Sequence, residues 1–497
     1  MATKLQVGKR PVDKGQHYAL LTQFIPKERI SFTRADRILH SKDKSFHEPK
    51  EPDVVIWPKD THEISQVMRV AYANNIPVTA WGGGSSLQGN PIPVRGGIVL
   101  NMTKMANILE VIPEGLQARI QPGIIGDDLN NHLEQHGLFF PAFPGSSNIA
   151  TLGGMIANNA GGMYAVRYGV TGNWVQELKI VLANGDVIRT GGRTRKSVSG
   201  YDLQPLFIGS EGTLGVITEA TIRLAPLPAA KASCLASFPS VHEAGGAIRS
   251  LQLSSITPAA FELMDEAYVG MLNAVQSGVD LPELDTLLIE LHGDMEQLKL
   301  ELHRIERLFK KHNCSTFSTY TTPKECEALW ACRKGVRLAF NAKRPHTGIL
   351  SAEVAVPLDK VGDFIHKSKE LRRHYDVQMM NHGHMGDGNF HTWALYDLRD
   401  KNSLGQAERF NDELTRYALQ IGGTASGEHG LGMSKRHFLP VEHPMSMPWM
   451  QDIKRLFDPK GILNPGKIFP AEDMRDGVVP SSAGKRVAAN GSPLPSA

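Results

Sequence analysis

Residues 141–172 read Pro-Ala-Phe-Pro-Gly-Ser-Ser-Asn-Ile-Ala-Thr-Leu-Gly-Gly-Met-Ile-Ala-Asn-Asn-Ala-Gly-Gly-Met-Tyr-Ala-Val-Arg-Tyr-Gly-Val-Thr-Gly. Two Gly-Gly pairs, Gly153-Gly154 and Gly161-Gly162, stand among small and amide side chains. This composition builds no thick core. It does let backbone approach something flat or charged, because glycine has no Cβ and tolerates φ > 0. One Gly-Gly pair by itself reads as a tight turn. Here two more glycine-rich stretches flank it, Trp81-Gly-Gly-Gly-Ser-Ser-Leu-Gln-Gly89 upstream and Gly209-Ser-Glu-Gly-Thr-Leu-Gly-Val-Ile-Thr-Glu219 downstream. Backbone N–H groups in such loops form concave anion-binding nests. Three in one segment point to a long cofactor with a diphosphate.

The chain has 497 residues, more than one compact core holds, so about two or three domains are expected. Hydrophobic residues make up 41% and charged residues 21%, the balance of an ordinary globular protein. A formal charge of +3, with no dense Lys/Arg patch interleaved with aromatics, argues against nucleic acid as a partner. Cys234, Cys314, Cys326 and Cys332 show no Cys-x-x-Cys spacing, so reduced thiols in a cytoplasmic protein are expected rather than disulfides or a cysteine zinc site. No apolar run approaches the ~20 residues of a spanning helix. The N-terminus carries lysines without the apolar stretch of a signal peptide.

Residues 1–50 read as a polar arm with a helix near 17–24. A buried strand is expected at 54–58, followed by a helix in which Asp60 and Glu63 form a capping-box-like pair. Ile64, Val67, Met68, Ala71 and Tyr72 give that helix its apolar face. Strand 77–80 runs directly into the first glycine loop. Strand 97–102, helix 127–136 and a hairpin of 178–182 with 187–190 around Asn184-Gly185 follow. Ala225-Pro-Leu-Pro228 punctuates the end of this region. From 229 the rhythm becomes strand 233–238, helix 241–253, strand 260–264, strand 286–292, helix 295–311 and strand 315–320, which suggests a ferredoxin-like α+β unit. A helix at 449–457 leads into Asp458-Pro-Lys-Gly-Ile-Leu-Asn-Pro-Gly-Lys467. From about 474 the chain is Ser, Gly, Pro and Ala with few large apolar residues, the composition of a disordered tail.

Asn381-His-Gly-His-Met-Gly-Asp-Gly-Asn-Phe-His391 places three histidines in eleven residues. Its glycines imply a turn across which His384 and His391 can converge. Alone, the pair reads better as hydrogen-bonded loop histidines. Gly427-Glu-His-Gly430 adds Glu428 and His429 between glycines, and two imidazoles with a carboxylate suit zinc or another divalent ion with one position left open.

The three glycine loops, in this order, resemble the FAD-linked oxidase family, whose flavin domain is of the para-cresol methylhydroxylase or vanillyl-alcohol oxidase (PCMH/VAO) type. Within it the chain is similar to the D-lactate dehydrogenase (cytochrome) and glycolate oxidase branch, which includes D-2-hydroxyglutarate dehydrogenases. The match runs from about 51 to 470. It implies an α+β fold: an FAD-binding domain of two α+β subdomains at 51–228 and a ferredoxin-like substrate or cap domain at 229–430. A segment at 431–470 would return to the flavin domain, with an arm at 1–50 and a tail at 471–497 outside. It assigns FAD contacts to Trp81, Gly82, Gly83, Gly84, Ser85, Ser86, Gln88 and Gly89, to Pro144, Gly145, Ser146, Gly153, Gly154, Asn158, Gly161, Gly162, Tyr168 and Gly169, and to Glu211, Gly212, Gly215, Ile217 and Asn464. Some relatives attach FAD through a histidine after the first glycines. Ser85 holds that position here, so the flavin is expected to be non-covalent.

The resemblance also implies that His384, His391 and Glu428 bind a divalent metal, zinc first and manganese or iron next, and that His429 is the catalytic base. His382 has no assigned role. In Trp330-Ala-Cys-Arg-Lys-Gly-Val-Arg337 it makes Arg333 the carboxylate clamp, with Arg337 either a second clamp residue or a surface charge. Arginine suits a carboxylate because its planar fork binds bidentately. Dicarboxylate-handling relatives carry a lysine where Ser351 stands, a departure that favours a small monocarboxylate. The implied reaction is oxidation of a D-2-hydroxy acid to the 2-oxo acid with hydride passing to flavin. D-Lactate is the first substrate, with glycolate, D-2-hydroxyglutarate and a role as flavin subunit of a glycolate oxidase-like complex as alternatives. The acceptor is open among a quinone, a cytochrome and an electron-transfer protein. A homodimer and attachment to a membrane through a partner are compatible with this reading.

Overall fold

The computed structural model describes residues 14–276 and 280–470. The expected tail at 471–497 and the first part of the arm lie outside the described residues. The architecture is α+β and is built from two flavin-side subdomains and a larger cap.

The first subdomain is a four-stranded sheet in the order Ile30–Ser31, Val54–Ile56, Ile98–Asn101, Val78–Trp81. Val54–Ile56 is buried throughout and runs parallel to Ile98–Asn101, as an apolar β-branched run should. Helix Thr61–Ala73 covers it with Ile64, Val67, Met68 and Ala71. Asp60 caps the helix by accepting the Glu63 N–H at 2.9 Å. The reciprocal half of the expected capping box is not made. Glu63 instead holds both arms of the Arg29 guanidinium at 2.6 Å and the Lys59 N–H. A charged fork binds a carboxylate better than one amide does, so the ion pair wins.

The second subdomain is a five-stranded antiparallel sheet, ordered Ile108–Ile112, Gln117–Ile120, Val216–Arg223, Val175–Val181, Val187–Gly191. Its last two strands are joined by the Asn184-Gly185 turn, with Gly185 at φ +87°. The chain returns through helix Met447–Phe457. Leu463 then bridges to Val78, and the Asn464 N–H donates to the Val78 carbonyl at 2.8 Å.

The cap contains a seven-stranded antiparallel sheet. Strands Ala230–Phe238, Ala260–Met264, Asp285–Gly293 and Thr316–Tyr320 stand in spatial order four-one-three-two, the expected ferredoxin-like unit. Three more strands extend it beyond Ala260–Met264: Gln378–His384, Asn389–Asp397 and Thr347–Ala355. The histidine segment is therefore a β-hairpin, with His382 directly opposite His391.

Side chains alternate across a sheet with period two. Phe261, Leu263, Leu350, Ala352, Val354, Met379, Phe390 and Ala394 enter a core shared with helices Val241–Gln252, Met295–Lys310, Val361–Tyr375 and Lys401–Gln420. Their neighbours in sequence must point the other way. That second face is covered by helices Glu266–Val275 and Pro323–Lys343 and by Met163 and Tyr164 of the flavin side.

Candidate active site

The period-two alternation puts Glu262, His382, His384, His391 and Glu353 on the flavin-facing side of four neighbouring strands. Glu262 is the strand partner of His384, His382 of His391, and His391 of Glu353. The result is a row of acid, imidazole, imidazole, acid across the sheet. All five side chains are buried. A buried charge needs a partner, and each member of the row has one within it or just outside it.

Glu428 arrives from the loop above. Its Oε1 lies 3.1 Å from His391 Nε2 and 3.7 Å from His384 Nε2, and the two imidazole nitrogens are 3.4 Å apart. One ligand atom from each of these three residues lies within 4.8 Å of the others. The second oxygen, Glu428 Oε2, is buried with no hydrogen-bond partner. His384 Nδ1 bonds Glu262, which fixes its Nε2 as the inward nitrogen. Carboxylate behind imidazole is the usual outer support of a metal-binding histidine. The donor set and the orphaned oxygen both fit a divalent cation. Burial alone would raise the Glu428 carboxyl, but His384 and His391 hold it well below the usual carboxylate range. Burial likewise works against the Glu262 anion, and His384 and Arg333 overcome this to set it at about 2.

His429 follows Glu428 and turns its Nε2 toward the cluster, 3.6 Å from Glu428 Oε1. Burial lowers its pKa to about 4, so the ring is neutral and able to accept a proton.

The two arginines differ in kind. Arg333 gives Nη2 to Glu262 at 2.8 Å and to His382 Nδ1 at 2.9 Å, and Nη1 to the Tyr268 hydroxyl at 3.1 Å. Its charge is offset inside the row, and only its buried Nε has no partner. His382, held neutral by burial and by Arg333, accepts that bond. Arg337, one helical turn on, lies over the Trp393 ring at 5.8 Å and lines a cavity of about 600 Å³ with Ile349 and Ser351. No carboxylate among the described residues pairs with it.

The glycine loops meet this cluster. The Asn158 amide donates to the His429 carbonyl at 3.2 Å, and a Cβ at Gly161 would stand 3.2 Å from Glu428 Oε2. Glu211 accepts from Asn90 at 2.6 Å, Leu431 N–H at 2.7 Å and Gly432 N–H at 2.9 Å, while Asn464 ties Asn90 and Glu211 by their carbonyls. A Cβ at Gly82 would overlap Thr151, one at Gly83 the Ile149 carbonyl, and one at Gly162 the Phe143 carbonyl. Gly145 and Gly212 face open space instead. Among the sequence-predicted contacts, Gly215 packs on Ile180, Ile217 enters the core of the second subdomain, and the Tyr168 hydroxyl bonds His292 at 2.8 Å.

Two family models match the chain: an FAD binding domain over residues 52–191 and the C-terminal domain of FAD linked oxidases over 227–468. Glycolate oxidase subunit GlcD of Bacillus subtilis is 36% identical over 461 residues, covering 92% of this chain and 97% of that protein. The chain belongs to the FAD-linked oxidase family. Mitochondrial D-lactate dehydrogenase [cytochrome] of Arabidopsis thaliana is 35% identical over 460 residues, covering 90% of this chain and 81% of its own. In fold, p-cresol methylhydroxylase superposes with a TM-score of 0.73 at 16% identity over 93% of this chain and 96% of its own. Alkyldihydroxyacetonephosphate synthase gives 0.74 at 19%, over 92% and 85%. The protein is thus an FAD-dependent oxidoreductase, and the side-chain-free cradle fits that cofactor. Among the described residues no helix is long and apolar enough to cross a membrane.

Sequence reasoning missed Glu262, Glu353, Lys435 and Tyr268. The available signal was an acid in the middle of an apolar strand, Ala260-Phe-Glu-Leu-Met264 and Leu350-Ser-Ala-Glu-Val354. Such a residue is either mispredicted or paired.

Proposed function

We propose that the protein oxidises a small D-2-hydroxy acid, D-lactate first, to its 2-oxo acid. The observation that carries this reading is the convergence of His384, His391 and Glu428 beside His429, directly against the flavin loops. FAD supplies the hydride acceptor, and a divalent cation held by His384, His391 and Glu428, zinc before manganese or iron, supplies the Lewis acid for the hydroxyl. His429 Nε2 takes the hydroxyl proton. The row gives this proton transfer a buried floor, since its members are buried. Arg337, which no carboxylate among the described residues engages, meets the substrate carboxylate, and Arg333 steadies the wall of the site through Glu262 and His382. Ser85 in place of a linking histidine supports non-covalent FAD, so acid precipitation should release the colour into the supernatant. All four cysteines are free, which supports a cytoplasmic setting.

A second reading keeps the chemistry and changes the substrate. Arg337, one helical turn from Arg333 and engaged by no carboxylate among the described residues, favours a longer acid with a second anionic group, such as D-2-hydroxyglutarate. Work as one subunit of a larger assembly, as the name of the Bacillus relative suggests for that protein, is a further alternative. The test is flavin bleaching of the purified single chain by D- and L-2-hydroxy acids with a dye as acceptor. Reduction by none of them sinks the proposal. Loss of reduction after chelation, restored by zinc, manganese or iron, supports the metal.

A further inference from the structure

Glu353 ends the row on the side away from Arg333 and is fully buried. Its Oε1 accepts the N–H groups of Gly427 at 2.6 Å and Glu428 at 2.9 Å. Its Oε2 accepts the Ser426 hydroxyl at 2.8 Å and the Lys435 ammonium at 3.1 Å. One carboxylate therefore grips the backbone of the segment that delivers both Glu428 and His429. The same Oε2 stands 3.9 Å from His429 Nδ1, a buried nitrogen with no hydrogen-bond partner.

A neutral imidazole has one N–H and one lone pair. A carboxylate only accepts, so a carboxylate facing Nδ1 selects the form with the proton on Nδ1 and the lone pair on Nε2. Nε2 is the nitrogen that faces the cluster. The 3.9 Å separation is longer than a hydrogen bond, as is common for such contacts before substrate arrives. Lys435 is almost wholly buried and also donates to the Ala425 carbonyl at 2.7 Å. Its ammonium offsets the carboxylate, so what remains at His429 is direction more than net charge.

We infer that Glu353 is a positioning residue that holds His429 with Nδ1 protonated and Nε2 bare toward the substrate hydroxyl, with Lys435 as the counter-charge that keeps the carboxylate buried. The inference rests on His429 being the base.

Glu353→Gln tests it, because the amide keeps the shape but can donate to Nδ1 and favour the wrong tautomer. Flavin content, metal content and the rate of flavin reduction are measured with the best substrate among D-lactate, glycolate and D-2-hydroxyglutarate. Flavin and metal should stay at the parent level while the limiting reduction rate falls about 10–100-fold. The half-saturating substrate concentration should move by less than about threefold, since binding is untouched. Glu353→Gln/Lys435→Met removes the unpaired ammonium and should stay slow. In a His429→Asn background, Glu353→Gln should cost nothing further. A parent-like rate, loss of metal, or full recovery in the Lys435→Met pair would overturn the inference. A normal rate in His429→Asn instead removes the base reading itself, whatever Glu353→Gln does.

Discussion

The flavin loops and the ionisable row of the cap are built by opposite means. The loops work through missing side chains: Gly83 and Gly162 leave backbone against backbone, and Gly82 leaves room for the Thr151 side chain, where a Cβ would collide. The row works through side chains fixed by strand register, with charges answered across the strands and from the helix and loop packed on them. A change in the loops is a steric fault and should show in cofactor content. A change in the row is an electrostatic fault and should show in rate, metal or stability.

The sharpest break in that contrast comes from the two neighbours Glu428 and His429. His429→Asn should keep flavin and metal and lower the rate by about 10²–10⁴. It should also erase the acid limb of the pH profile, which in the parent lies below the ordinary imidazole range because burial depresses that ring. Glu428→Gln should instead lose metal and keep flavin, as metal analysis beside the flavin spectrum will show. Gly83→Ala carries the same test to the loops. The new methyl meets the Ile149 carbonyl, which cannot move without the loop, so the purified protein should contain less FAD while binding metal normally.

The arginines sharpen the comparison within the row. Arg337→Met removes a cation that no carboxylate among the described residues engages, so kcat/KM should fall at least about tenfold, the worth of one charged hydrogen bond, with little change in melting temperature. Arg333→Met leaves buried Glu262 with His384 as its remaining partner and should cost about 3 kcal/mol of stability in a denaturant titration. The reverse pattern would return the carboxylate clamp to Arg333. The smallest effect belongs to the seam between the regions. The Tyr164 hydroxyl donates to Glu290 at 2.6 Å, and Glu290 also holds His292. Tyr164→Phe should cost about 1 kcal/mol, read as a small shift in the denaturation midpoint.

What was legible in the sequence follows the same division. The glycine loops are local in sequence, and a residue without a side chain announces itself by composition. The convergence of His384, His391 and Glu428 was legible because glycines flank each piece. Glu262 and Glu353 were not, because their meaning depends on which strand lies beside which. Strand order is a long-range property, and only the hairpin Gln378–His384 with Asn389–Asp397 between their strands sets the two acids at the ends of one row. The choice between the two clamp candidates was open for the same reason. Arg333 and Arg337 share a helix face, and only the tertiary fold shows that Glu262 engages the first.

Val78–Trp81 is the edge strand of its sheet, and the segment at Leu463 and Asn464 covers that edge. During synthesis the two are made far apart in time. At about 5–20 residues per second the strand waits on the order of 20–80 s for its cover. Throughout that interval a nascent chain exposes unpaired backbone next to its first glycine loop, the kind of edge that recruits other strands. The last described residues thus act as a late-arriving latch, and the yield of folded protein should depend on how well the growing chain is shielded until they emerge.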